Sequence, residues 1–326
     1  DAMRARGGLR MDTLAQLMRG GDSGEVIAPG NGQQSLLVQK LLGRSGQRMP
    51  AGGRPALSQR SIDLISTWID EGAALDGASQ NQPLAAMSQL AWAASATSQQ
   101  MSQRRQELAA KNAMLVTGSG DVESTSTDHF LVMGTVSGKT LDDVSQIAET
   151  QMKIVRKVVP GDPGHDYFHG RATIFVFPNR YEYSEFAKMV ERRELPENWI
   201  SHWSSDGIDA YVALVAGERD DQDQIAHRLI GPLVSLGVAT RGKDMPRWLA
   251  EGVGVTTARL NATARDRQAV RQAQAETRAA VTAIPSTKAF LKGELSPQQT
   301  DQIGAAIAAT MLDREHRKNF DALLRN

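Results

Sequence analysis

Three short apolar runs limit what this chain can fold into: HFLVMGTVS (129–137), GRATIFVFPN (170–179) and DAYVALVAG (209–217). Each is rich in Val, Leu, Ile or Phe and is bounded by turn residues. Each therefore reads as a strand, and the second as a buried one. Between them lie TLDDVSQIAETQMKIVRKVV (140–159), an amphipathic helix by its spacing, and YEYSEFAKMVERREL (181–195), a second helix. From Asp220 to Asn326 the pattern is nearly all helical. A mixed sheet followed by helices predicts an α+β domain over 128–326.

The chain ahead of these runs has another character. Residues 1–77 are Gly-rich, with short helical patterns separated by the loops GDSG (21–24), APGNG (28–32) and RMPAGGRPA (48–56). Ser35 is predicted to cap a helix striped by LLVQKLL. Ser58 starts another, with Ile62, Ile65, Trp68 and Ile69 at helical spacing. DGASQNQP (76–83) reads as a linker, 84–113 as one long helix, and TGSGDVESTSTD (117–128) as a polar connector. The expected organisation is mostly helical. It has a small all-α domain at 1–77, a helical connector and linker at 78–127, and the α+β domain at 128–326.

The 326 residues suffice for about two domains. With 40% hydrophobic and 23% charged residues, a packed core is expected rather than global disorder. Lys+Arg and Asp+Glu both number 37, so no excess of positive charge exists to neutralise phosphates, and a nucleic-acid partner is not expected. No run of 18 or more apolar residues is present, so no membrane span is expected. A start at Asp1 rather than Met suggests that a leader has been removed. With no cysteine, the chain has no disulfide, iron–sulfur ligation or thiol catalysis of its own.

Five motifs stand in order in the first 75 residues: GGLRMD (Gly7–Asp12), GGDSG (Gly20–Gly24), PGNGQQSLL (Pro29–Leu37), MPAGG (Met49–Gly53) and WIDEGA (Trp68–Ala73). This succession resembles the planctomycete-type cytochrome c domain, in which the motifs follow a CxxCH haem-attachment motif. The resemblance implies haem c, an axial-ligand role for Met49 and a propionate contact for Arg10. Thioether attachment needs two thiols, and the proximal ligand is the His of the same motif. The chain has no thiol, and its first His is His129. Two explanations stay open. Either the motif lies just ahead of Asp1, the favoured expectation, or the haem has been lost.

A second resemblance covers residues 129–326. IAHRLIG (225–231) and PRWLAEGVG (246–254) resemble the zinc-binding helix and the following helix of peptidase-MA-like, gluzincin-type metallopeptidases. There, HExxH places two His on one helix face beside a general-base Glu, and a Glu on the next helix completes the site. His227 matches the first His and Glu251 the third ligand, with Trp248 and Gly252 retained. The base position is Arg228 and the second His position is Gly231. A guanidinium cannot accept a proton and repels a dication, and glycine offers no donor. Zinc is therefore not expected, and His227 and Glu251 are expected to be vestigial ligands that hydrogen-bond between helices. The closing segment SPQQTDQIGAAIAATMLDREHRKNFDALLRN, striped by Ile303, Ile307, Met311 and Leu312, resembles the end of such domains.

Other candidates carry less. HDYFH (165–169) reads as two surface histidines, and SHW (201–203) as structural because no acid lies nearby in sequence. No P-loop and no GxSxG is present, and residues 262–280 read as a solvated helix. The expectation is an extracytoplasmic or periplasmic protein. It couples haem-based electron transfer to an inactive peptidase-like domain that serves as a binding or scaffold subunit with protein partners. An active zinc metallopeptidase with an unusual site is the alternative.

Overall fold

The computed structural model describes residues 5–75, 79–118, 122–161, 166–242 and 245–325. The chain divides into two compact units, 1–95 and 96–326.

The first unit is all-helical: α1 (Leu14–Arg19), α2 (Leu36–Leu41), α3 (Gln59–Asp70) and α4 (Leu84–Ser95). Leu14, Leu17, Val26, Ile27, Val38, Ile62 and Ile69 form its core. The motif loops fold back on α3. The Gly30 amide donates to the Ile69 carbonyl at 2.8 Å and the Gly32 amide to Asp70 Oδ1 at 2.6 Å. A Cβ on Gly32 would lie 2.2 Å from the Ser66 carbonyl oxygen, so only glycine permits this approach. Thr13 and Ser58 cap α1 and α3 through their hydroxyls. Ser35 occupies the N-cap of α2, but its hydroxyl accepts from the Ala28 amide and donates to the Asn31 carbonyl, tying the preceding loop instead of the helix.

The second unit is a three-layer α+β domain. It contains α5 (Ser98–Thr117), β1 (Glu123–Ser126), β2 (Phe130–Gly134), α6 (Gly138–Val158), β3 (Ala172–Phe177) and α7 (Arg180–Phe186), which runs into a π-helical turn (Ala187–Glu191). Then come β4 (Ser201–Ser205), β5 (Ala210–Val215), α8 (Gln222–Ala239), α9 (Arg247–Leu260), α10 (Arg267–Thr282), α11 (Thr287–Leu291), α12 (Pro297–Leu312) and α13 (Arg317–Leu323). The sheet order is β1-β2-β3-β5-β4, with β2, β3 and β5 parallel and both edge strands antiparallel to their neighbours.

The three expected strands are the three central ones, and alternation along them feeds two cores. Phe130, Val132, Ile174, Val176, Val212 and Leu214 pack with α6, α8 and α9. Leu131, Met133, Phe175, Phe177, Tyr211 and Ala213 pack on the opposite face with Ala109, Ala113, Tyr183 and Phe186.

Two expectations are corrected. The single helix over 84–113 is two helices, broken where Thr97 caps α5 in a capping box with Gln100. The second of these is part of the second unit, where it covers one face of the sheet. Its buried stripe is Met101, Arg105, Ala109 and Ala113. The buried Arg105 guanidinium donates to the carbonyls of Ile208, Phe168 and Arg171, which ties α5 to the loops at the sheet's end. The polar connector 117–128 likewise contains β1, an edge strand paired with β2. The helix expected over 262–280 is α10, in which only Thr277 is buried.

Candidate functional site

Each unit carries one site expected from sequence. In the first, Met49 is half-buried against the core, and its amide donates to the Lys40 carbonyl at 3.0 Å. Arg10 is engaged locally: Nε and Nη2 donate to the two carboxylate oxygens of Asp12 at 3.0 and 2.6 Å. Hydrogen bonding from Arg10 holds the Asp12 carboxyl below its ordinary range. A propionate contact would therefore have to share or displace that fork. The donor chemistry fits haem c on one side only. Met49 offers a thioether, whereas residues 1–95 contain no thiol and no imidazole. The first unit thus offers a thioether but no imidazole, and residues 1–326 hold no thiol that could anchor a haem covalently.

In the second unit, position 228 is structural. Arg228 forks onto Asp220, Nη1 to Oδ2 at 2.7 Å and Nη2 to Oδ1 at 2.8 Å, and Nη1 also donates to the Val215 carbonyl. This half-buried pair fixes the start of α8 to the end of β5. Burial disfavours the Asp220 carboxylate, but the Arg228 hydrogen bonds and the Gly217 amide outweigh it and lower its pKa.

Gly231 is buried against α9. A Cβ there would lie 3.5 Å from Ala258 Cβ and 3.5 Å from the Gly254 oxygen. On the facing helix, a Cβ on Gly254 would lie 2.0 Å from Ser235 Oγ and 2.4 Å from the Gly231 oxygen. Position 231 thus belongs to a close helix crossing, and a long side chain would meet the α9 backbone.

The expected hydrogen bond between His227 and Glu251 is not formed. His227 Nδ1 faces Asp266 Oδ2 at 3.8 Å, whereas Glu251 Oε2 accepts from Trp203 Nε1 at 2.6 Å, on β4. The two side chains have been taken up by different neighbours. Among the described residues no group of three or more His, Cys, Asp or Glu is arranged to hold a metal. Trp248 packs edge-on against Phe290 of α11, with centroids 5.1 Å apart. Behind Glu251, burial first and Glu251 second push the Asp301 carboxyl up to about 6, with Arg247 opposing.

The segment SHW holds what sequence reading missed. His202 is 3% exposed. Its Nδ1 meets the Tyr183 hydroxyl and its Nε2 meets Glu191 Oε1, each at 2.6 Å, and the Tyr211 hydroxyl donates to the same Oε1 at 2.6 Å. The acid partner lies 11 residues away, at the end of the π-helical turn. Such turns are enriched at functional sites, but this one is visible only in the fold, and no local sequence signal marks the pairing. Of the two surface histidines expected in HDYFH, His169 is exposed. His169 Nε2 is 2.8 Å from the Ala96 carbonyl oxygen, while His165 lies outside the described residues.

Residues 1–52 match the family model described as Planctomycete cytochrome C. The matched stretch includes Gly7–Asp12, Gly20–Gly24, Pro29–Leu37 and Met49, and ends before Trp68–Ala73. The start of the chain is therefore similar to planctomycete cytochromes c, with residues 53–326 outside the match. No curated protein matches the chain. Among the described residues no helix is long and apolar enough to cross a membrane.

Proposed function

We propose that the protein is an extracytoplasmic, c-type cytochrome-like protein. Its first unit serves haem binding and electron transfer, and its second is a catalytically inactive, peptidase-like binding or scaffold subunit of a larger complex. The observation that carries the first half is the family match over residues 1–52 with Met49 inside it. Met49 would hold a bound haem through its thioether, which would raise the potential of a His-ligated iron and suit an electron carrier. Residues 1–326 contain no thiol and the first unit no His, so no electron-transfer step is derived from these residues alone.

Arg228 supports the second half. Its guanidinium is consumed by Asp220 and Val215 and cannot act as a general base. Gly231 carries no donor, and Glu251 is hydrogen-bonded to Trp203. The alternative is a zinc peptidase with a non-standard site.

Metal analysis and a hydrolysis assay on the purified protein separate the two readings. The proposal expects haem iron near one per chain, substoichiometric zinc and no peptide hydrolysis. Stoichiometric zinc, together with hydrolysis abolished by Glu251→Ala, would establish the alternative.

A further inference from the structure

In the second unit a cleft of ≈430 Å³ opens between α5, the π-helical turn, the β4–β5 hairpin and the start of α9. That volume lies within the range of small-molecule sites. Its polar groups divide into those already satisfied and those still free.

Glu191 is satisfied. It accepts from His202, Tyr211 and Arg193. Burial disfavours its charge, but these donors outweigh burial and hold the carboxyl at about 2. Glu191 is thus a fixed anion that orients Arg193, whose guanidinium lies 5.8 Å from the Trp199 ring centroid. Arg192, between the two, is held at φ 56°, a conformation costly for a residue with a Cβ. This left-handed residue caps the π-helical turn, its amide donating to the Ala187 carbonyl, and sets the direction in which Arg193 leaves it.

The free groups are of both signs. Among the described residues neither Nη of Arg193 has a hydrogen-bond partner, and neither has any N–H of Arg247, whose guanidinium lies 4.7 Å from the Trp203 ring centroid. On the hairpin, Asp206 Oδ1 accepts from the amides of Ile208 and Asp209. Asp209 Oδ1 is buried with no partner. Burial first and Asp206 second push the Asp209 carboxyl up to about 6, with Arg105 opposing. An unsatisfied buried acceptor beside a cleft asks for a donor.

These requirements select a ligand. Two guanidinium forks call for a carboxylate. A simple anion would, however, sit beside Asp206 and Asp209, and a simple amine would sit beside Arg193 and Arg247. Only a molecule carrying both charges meets both ends. We propose that this cleft binds a small zwitterion, a free α-amino acid, with its carboxylate on Arg193 and Arg247 and its ammonium on Asp209. The inference stands whether or not the second unit is related to peptidases.

Titration calorimetry on the whole chain tests it, with glycine, L-alanine, L-serine and L-glutamate as ligands and with acetate and methylamine as single-charge controls. At least one amino acid should bind, and acetate and methylamine at least about tenfold more weakly. Arg247→Gln and Asp209→Asn should each raise the Kd about tenfold or more while retaining the native circular dichroism spectrum. If Asp209→Asn does not fold, Arg247→Gln, on the exposed first turn of α9, decides alone. The proposal fails if none of the four binds up to about 10 mM, if acetate binds as tightly as the amino acids, or if the folded variants bind like the parent.

Discussion

Arg228 illustrates how a single residue can be visible in sequence while its role is not. The HExxH comparison marks it as the wrong residue for a base, but only the fold supplies Asp220 and the Val215 carbonyl as its partners. Replacing Arg228 with Ala leaves a half-buried carboxylate and a carbonyl without their donor. The expected loss is about 1–3 kcal/mol, below the range for fully buried pairs because this one is partly solvated. Urea unfolding of Arg228→Ala measures it, and an unchanged midpoint would remove the anchoring role. The Asp220 pKa is depressed by folding. The pair's contribution is therefore present above the ordinary carboxylate range and is lost as pH falls through the lowered value.

Asp209 carries the opposite sign. Burial, and Asp206 after it, push its carboxyl up to about 6, above the ordinary aspartate value of about 3.9. Its contribution is fully present below about 4 and disappears as pH rises through 6. Asp209→Asn should therefore stabilise the protein at pH 8 by about 1–3 kcal/mol and flatten the stability profile between pH 4 and 6. Unfolding midpoints across that range check this, and a slope equal to the parent's would contradict it. A site residue held at the expense of stability is the pattern expected when a ligand supplies the missing partner.

At the scale of elements, legibility followed burial. The central strands β2, β3 and β5 are covered on both faces, so their sequences are continuous apolar runs and were readable. The edge strands ESTS and SHWSS are polar and partly exposed, and nothing in their patterns separates them from loops. The α5 helix reads as a connector in sequence because its buried stripe consists of a Met, an Arg and two Ala, a weak apolar signal. His202 looked partnerless because Glu191 reaches it only after the π-helical turn and β4 are placed side by side.

The packing of α8, α9 and α12 gives a test with internal contrast. A Cβ on Gly254 would lie 2.0 Å from Ser235 Oγ, and one on Gly252 would lie 2.3 Å from the Gly304 oxygen. Gly254→Ala and Gly252→Ala should each destabilise by at least about 1–3 kcal/mol through overpacking. At Gly231 the added methyl would find ordinary contacts at 3.5 Å. Gly231→Ala should therefore be neutral or stabilising by up to about 1 kcal/mol from helix propensity. Thermal melts of the three variants check the order, and equal losses at all three positions would contradict these contacts.

At the scale of the whole molecule, the chain joins an all-helical unit, similar at its start to planctomycete cytochromes c, to a three-layer α+β unit. The motifs of the first unit were legible because loops that dock closely on α3 tolerate few residues: Gly32 and Asp70 meet at 2.6 Å. The chemistry of the second unit was less legible. The expectation drawn from its sequence turned on positions 227, 228, 231 and 251; the fold gives the side chains of His227, Arg228 and Glu251 separate neighbours and packs Gly231 against α9. The most direct test of the central claim is the visible absorption spectrum of the protein purified from its natural source, compared with that of Met49→Ala. The account predicts a low-spin haem c spectrum that turns high-spin, at unchanged haem content, when the thioether is removed. A protein without haem absorbance, or a haem spectrum indifferent to Met49→Ala, would contradict it.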